Sequence, residues 1–254
     1  MMPLFVISLV RSVERRRETA AQLAALGIEA VVSDAVDGAD LIARDPAMQI
    51  LSTQPQPHLG RSLSAGEIGC LASHIAVLER IAAAGHRVAC VIEDDCLLTD
   101  RFRDVIAAVD AAPRPWDVLL LGHHSARHDA ARGAETCFAG MDVTSHHRAA
   151  RVAEFPMGAF AYLVTCDGAR QLAGYARPMR MPADWVTGYS PAVGVRLWAV
   201  TPPCVMPRRD AATTIDGREG GGGRTRHVVR DRIGRLALFA RKAGLRPYGY
   251  VRRF

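Results

Sequence analysis

The stretch Val88-Ala89-Cys90-Val91-Ile92-Glu93-Asp94-Asp95 runs five apolar residues directly into three carboxylates. A short apolar run without polar alternation reads as a strand covered on both faces. Such strands belong to α/β sheets, which bind ligands outside the carboxyl ends of their strands. The acids stand at that end. Three adjacent carboxylates repel one another unless a cation is present, and an all-oxygen donor set favours Mg²⁺ or Mn²⁺. Those ions are commonly shared with substrate phosphates, so the pattern suits a nucleoside diphosphate group. On an extended segment Glu93 and Asp95 project to the same side. A solvated acidic turn, or a cap for a helix starting near Arg101, accounts for the same residues without a ligand.

Upstream, residues 4–10 form another continuous apolar run. Ser12 is placed to cap a helix over 13–26, closed by Gly27, and 28–33 reads as a second strand. This strand–helix–strand order predicts a parallel sheet. Residues 40–63 hold three prolines and a polar run, and read as a long loop with at most a short helix. Ser64 followed by Glu67 is a capping box for a helix over 63–84. Downstream, a helix is expected at 101–111, a strand at 116–121, a strand at 158–165 and a helix at 167–175. A loop region at 178–191 carries Asp184 and Trp185, and a late strand follows at 195–200. Residues 123–151 are polar and poorly periodic.

The charge is uneven. Residues 207–254 carry 13 Lys and Arg against four Asp and Glu, whereas the remainder is mildly acidic although the whole chain is +6. This argues against a nucleic-acid partner, because only the tail needs an anionic surface. The division expected is 1–206 as the catalytic domain and 207–254 as a glycine-rich linker with a helical tail. Val229, Ile233, Leu236, Ala240 and Ala243 share one stripe of that tail. It lies either on an anionic membrane, through residues 224–254, or against the body of the protein. Six scattered cysteines with no CxxC pair read as unpaired thiols of a reducing cytosol. The arginines after the first apolar run are in the wrong order for a secretory signal, and no run is long enough to span a bilayer. The expected location is cytoplasmic, with peripheral contact at a membrane.

Four segments in order resemble glycosyltransferase family 25, the lipooligosaccharide galactosyltransferases and their relatives. The first is Val6-Ile7-Ser8-Leu9 with Arg11, Arg15 and Arg16, leading to Asp34-Ala35-Val36-Asp37-Gly38. The second is Leu63-Ser64-Ala65-Gly66-Glu67-Ile68-Gly69-Cys70 continuing to Ser73-His74, and the third is Val91-Ile92-Glu93-Asp94-Asp95. The fourth runs from Trp116-Asp117-Val118-Leu119-Leu120-Leu121-Gly122 through Gly158-Ala159-Phe160-Ala161-Tyr162-Leu163 to Pro182-Ala183-Asp184. Ser8 departs from the family's usual Asn. The resemblance implies a GT-A type fold, with a Rossmann-like, mostly parallel central sheet flanked by helices. It further implies a UDP-sugar donor, usually UDP-galactose, and Mn²⁺ or Mg²⁺ at the acidic motif. The acceptor implied is a saccharide or lipid-linked saccharide, as in bacterial lipopolysaccharide.

Sugar transfer leaves charge on a diphosphate, and inverting transfer, the stereochemistry carried from the family, needs a base for the acceptor hydroxyl. With the resemblance, the candidate metal ligands are Glu93 and Asp95. The candidate donor-binding residues are Ser8, Arg11, Arg15, Asp37, Glu67, Glu93 and Asp94. Asp184 is the candidate base, and Trp185 either stacks on a sugar or anchors the core. The alternatives are a solvated face for the arginines, a turn for Asp37-Gly38, and a loop cap for Asp184. Glu67 and His74 share a helical face that is partly buried. His123-His124 and His146-His147 are poor ligands for a hard ion. Another nucleotidyl or nucleotide-sugar transferase, or a silent sugar-binding relative, are the competing functions.

Overall fold

The computed structural model describes residues 2–57, 59–112, 114–125, 140–152 and 156–208. The glycine run at 217–223 and the basic helix expected beyond it lie outside the described residues, as does 126–139. In chain order the elements are β1 (Leu4–Ser8), α1 (Val13–Ala25), β2 (Val31–Asp34), α2 (Gly38–Arg44), α3 (Pro46–Thr53), α4 (Ala65–Ala84), β3 (Val88–Glu93) and β4 (Cys96–Leu98). They continue with α5 (Phe102–Ala111), β5 (Val118–Leu120), β6 (His124–Ser125), β7 (Met141–Asp142), β8 (Arg148–Arg151), β9 (Pro156–Met157) and β10 (Ala161–Thr165). The last are α6 (Cys166–Ala176), α7 (Ala183–Tyr189), a 3-10 turn (Ser190–Val193), β11 (Leu197–Thr201) and β12 (Val205–Pro207).

Eight strands form one sheet in the order β2-β1-β3-β10-β5-β11-β8-β7. Pairings β1–β2, β1–β3 and β5–β11 are parallel. β10 enters antiparallel between β3 and β5, and β8 is antiparallel to β11 and β7. Six of the eight strands therefore point the same way, which is the mostly parallel α/β architecture expected. The run at 88–92 is buried throughout and its residues alternate between two cores. Ala89 and Val91 join Phe5, Ile7, Leu120 and Tyr162 on the face covered by α4, α6 and α7. Val88, Cys90 and Ile92 join Leu4, Val6, Leu119 and Leu163 on the face covered by α1 and α5. β2 is the sheet's edge, and Val31 and Val32 stay exposed there.

Three local expectations are corrected. Residues 40–63 are mainly helical: Asp37 caps α2 by accepting from the Ala39 and Asp40 N–H groups, and Asp45 caps α3 with Pro46 in its first turn. Residues 183–189 are a helix too, so Asp184 stands in the first turn of α7 rather than in a loop. Ser12 precedes α1 without capping it through its side chain. The capping box at Ser64 and Glu67 is present as expected, with Gly85 left-handed at the other end of α4.

Glycine explains the close approach of α2 to α4. A Cβ on Gly38 would lie 1.8 Å from the Ala65 carbonyl oxygen, and one on Gly69 would lie 2.7 Å from the Val36 oxygen and the Gly38 nitrogen. The start of α2 thus lies backbone against backbone on α4. The Ser73 hydroxyl donates to the Gly69 carbonyl (2.6 Å) and accepts from the Val36 N–H (2.8 Å), fixing the approach. Further along, Asp117 accepts two guanidinium N–H groups and the backbone N–H of Arg196, joining the start of β5 to the strand beside it. Among the described residues no helix is long and apolar enough to cross a membrane. Gly69→Ala is expected to cost about 1–3 kcal/mol, the range for overpacking a tight contact. Urea denaturation measures this, and an unchanged midpoint would mean that α2 shifts freely.

Candidate active site

β1, β2 and β3 are parallel and in register, so Ser8, Asp34 and Glu93 end side by side at one edge of the sheet. The chain turns immediately after Glu93, which replaces the extended alternation expected of the acidic triplet. Each acid then takes a different environment.

Asp94 is folded inward and buried. The Ser8 hydroxyl donates to its carboxylate at 2.5 Å, and the Thr19 hydroxyl donates to its backbone carbonyl at 3.1 Å. Arg15 reaches both Asp94 (3.6 Å) and Asp95 (3.8 Å). Arg16 donates to the Ser8 hydroxyl and carbonyl, to the Leu9 carbonyl and to Asp34. Asp94 and Ser8 are thereby committed to one another inside the protein.

Glu93 faces α4. Its N–H donates to the Phe160 carbonyl, and its carboxylate lies 3.0 Å from His74 Nε2 and 3.7 Å from Cys70 Sγ. His74 Nδ1 lies 3.0 Å from the Tyr162 hydroxyl. A neutral imidazole satisfies both neighbours by donating at Nε2 to Glu93 and accepting at Nδ1. Burial pushes the Cys70 thiol well above its usual pKa, and the negative charges of Glu93, Asp184 and Asp95 add to it. Of the three carboxylates only Glu93 is in contact with the thiol; Asp184 on α7 and Asp95 act on it through charge alone.

Asp95 is the acid whose charge is least well accommodated. Burial, then the neighbouring charges of Glu93 and Asp94, lift its carboxyl to about 6, against a smaller opposing pull from Arg15. Glu67 is the opposite case. Burial alone would raise it, but a two-pronged bond from Arg61 (2.7 and 2.8 Å) and the Ser64 N–H bring it below the usual carboxylate range. Asp184 accepts from the Trp185 N–H at 3.0 Å and adds negative potential at Arg61. The Trp185 ring meets Tyr189 edge-on at 5.7 Å.

Of the residues singled out from sequence, the structure brings Ser8, Arg15, Glu93, Asp94 and Asp95 to this edge, while Asp184 lies in the first turn of α7 and adds negative potential at Arg61 and Cys70. Arg11 and Asp37 form an ion pair beside the edge, and Glu67 is spent on Arg61 and the start of α4. His123 Nε2 lies 3.1 Å from the Val200 carbonyl, and His147 Nδ1 lies 3.0 Å from the Thr144 hydroxyl. Cys70, Tyr162 and Arg61 were not singled out as site residues. Cys70 was detectable, because it lies four residues before His74 on one helix face. Five described cysteines are unpaired, and Cys90, Cys96 and Cys204 are buried.

Residues 1–187 match Glycosyltransferase family 25 (LPS biosynthesis protein), and the chain belongs to that family. It is 32% identical over 189 residues to "Inactive glycosyltransferase 25 family member 3" of Homo sapiens, covering 71% of this chain and 30% of that protein. It is 30% identical over 125 residues to "Procollagen galactosyltransferase 1" of Danio rerio, covering 46% of this chain and 21% of the relative. The chain thus spans under a third of the length of these relatives. A solved structure of the glycosyltransferase GlyE from Streptococcus pneumoniae TIGR4 aligns over all of this chain and 66% of its own, at 8% identity and a TM-score of 0.43.

Asp95 supplies a direct test of this electrostatic arrangement. Its raised pKa means that the folded chain holds the proton more tightly than the unfolded chain. The resulting cost to stability is absent below about pH 4, grows as pH rises through 6, and is full at neutral pH. Asp95→Asn should therefore be more stable than the parent at pH 7.5 by about 1 kcal/mol, allowing for partial exposure of the side chain. Paired denaturation curves at pH 7.5 and pH 4 check this, and a gain that persists at pH 4 would assign it to something other than charge.

Proposed function

We propose that the chain is an active glycosyltransferase that moves a sugar, galactose first among candidates, from a UDP-sugar to a saccharide or lipid-linked saccharide hydroxyl. The observation that carries this reading is the turn at the end of β3, which leaves Glu93 and Asp95 on separate sides of a buried Asp94 with Arg15 close to both aspartates. Two relatives at 32% and 30% identity differ in their names, one inactive and one a galactosyltransferase, so the decision falls on the acids themselves. All four, Glu93, Asp94, Asp95 and Asp184, are in place here.

The fit of a divalent ion is supported by the donor set. Glu93 and Asp95 offer hard oxygens, and the raised Asp95 carboxyl marks a field that a cation would relieve. Mn²⁺ or Mg²⁺ held there by Asp95 and Glu93 would stabilise negative charge on the departing diphosphate. Asp94 does not compete for the ion, because Ser8 and Arg15 hold it. Arg15 offsets part of the acidic potential and stands where it can face a phosphate. Asp184, fixed in the first turn of α7, accepts the proton of the acceptor hydroxyl as the bond to the sugar forms.

Binding of UDP-galactose within a panel of UDP-sugars, with and without Mn²⁺, tests the reading. Mn²⁺-dependent binding and slow turnover are expected, and Asp95→Asn should lose the metal-dependent part. Asp184→Asn should bind donor normally and lose transfer by about 10²–10⁴-fold, the usual contribution of a positioned base. A panel with neither binding nor turnover would favour a silent relative.

A further inference from the structure

Cys70, His74 and Glu93 place a sulfur, a nitrogen and an oxygen within 4.8 Å of one another. Two come from one turn of α4, at i and i+4, and the third from the end of β3. The helix is held by its capping box and by the glycine contact with α2, and the strand by pairing on both sides, so the three groups rest on rigid elements. The Tyr162 hydroxyl sits on the far ring nitrogen of His74, leaving Nε2 aimed at the other two ligands. Metal-binding histidines are typically oriented by just such a partner on the second nitrogen.

We propose that Cys70, His74 and Glu93 form a site for a borderline-soft divalent cation of the Zn²⁺ type, distinct from the hard-ion site of Glu93 and Asp95 but sharing Glu93 with it. Thiolate, imidazole and carboxylate together select Zn²⁺ over Mg²⁺ or Mn²⁺. Three protein ligands leave the fourth tetrahedral position to water. Binding releases one proton, that of the thiol, to solvent. The imidazole proton moves from Nε2 to Nδ1, and that N–H donates a hydrogen bond to the Tyr162 hydroxyl oxygen. Zn²⁺ held by Cys70 and His74 draws Glu93 toward α4 and places positive charge beside the hard-ion site, so Zn²⁺ antagonises the Mn²⁺-dependent binding of UDP. That consequence, unlike the site itself, rests on the transferase reading.

Titrating the full-length protein with Co²⁺ as a spectroscopic stand-in tests the site. One equivalent is expected to produce a thiolate-to-cobalt charge-transfer band that Zn²⁺ removes and Mg²⁺ does not. Cys70→Ser and Cys70→Ala should both lack the band while retaining Mn²⁺-dependent UDP binding, now insensitive to Zn²⁺. Tyr162→Phe should keep the band and weaken Zn²⁺ binding by about 10–100-fold. Cobalt binding without a charge-transfer band, or a band that survives in Cys70→Ser, would overturn the proposal. If the parent protein shows the band but no Mn²⁺-dependent UDP binding, the zinc site stands and the transferase reading falls.

Discussion

The arrangement of this sheet edge depends on one buried carboxylate. Asp94 is taken out of water, and it is tolerable there because Ser8 donates to it and Arg15 stands close by. Those two partners come from the end of β1 and from α1, while Thr19 holds the backbone of the same turn. The ion pair and hydrogen bonds therefore tie three elements to the point where the chain leaves β3. They also separate the triplet, with Glu93 turned toward α4 and Asp95 left at the partly exposed surface. Without the inward turn of Asp94, three like charges would compete for the same solvent.

This separation explains why neighbours in sequence behave so differently. Glu67 and Asp95 are both desolvated carboxylates. The first is answered by Arg61 and a backbone N–H and is held ionised. The second is surrounded mainly by other acids and resists ionisation. A carboxylate that is already paired serves structure, whereas one poorly compensated by its own protein is the place where an external cation has most to gain.

Much of the sheet was legible in the sequence because strands buried on both faces need unbroken apolar runs, and 4–7, 88–92 and 118–120 supply them. The capping box at Ser64 was legible for the same local reason. Of the short helices, α7 was read as loop and α2 and α3 as a long loop with at most one short helix, since seven or eight residues give too few turns to show a stripe. Their starting signals were nevertheless present, in Asp37 as a cap and in Asp45 followed by Pro46. The acidic motif and Asp184 were legible as residue types, but not their division of labour. That division depends on a turn at Asp94 and on contacts between residues more than 70 positions apart. The Glu93–His74–Tyr162 chain was hidden for the same reason, although Cys70 and His74 carried a helical spacing.

The reversed strand in the middle of the sheet has a consequence for how the chain acquires its structure. β3 finds its second neighbour only in β10, with Ile92 opposite Ala161 and Val88 opposite Thr165. During synthesis the first three strands can pair as soon as β3 emerges, but the far edge of β3 then waits for about seventy more residues. That edge carries the unpaired backbone groups of Cys90, Val91 and Ile92 between apolar side chains. Its nascent form is a short-lived adhesive surface of the kind that finished proteins avoid. Arrival of β10 closes it and, through the Phe160 carbonyl, fixes Glu93 in the same event. Glu93 thus gains its backbone anchor later than Asp94, whose partners Ser8, Arg15 and Thr19 all precede it in the chain.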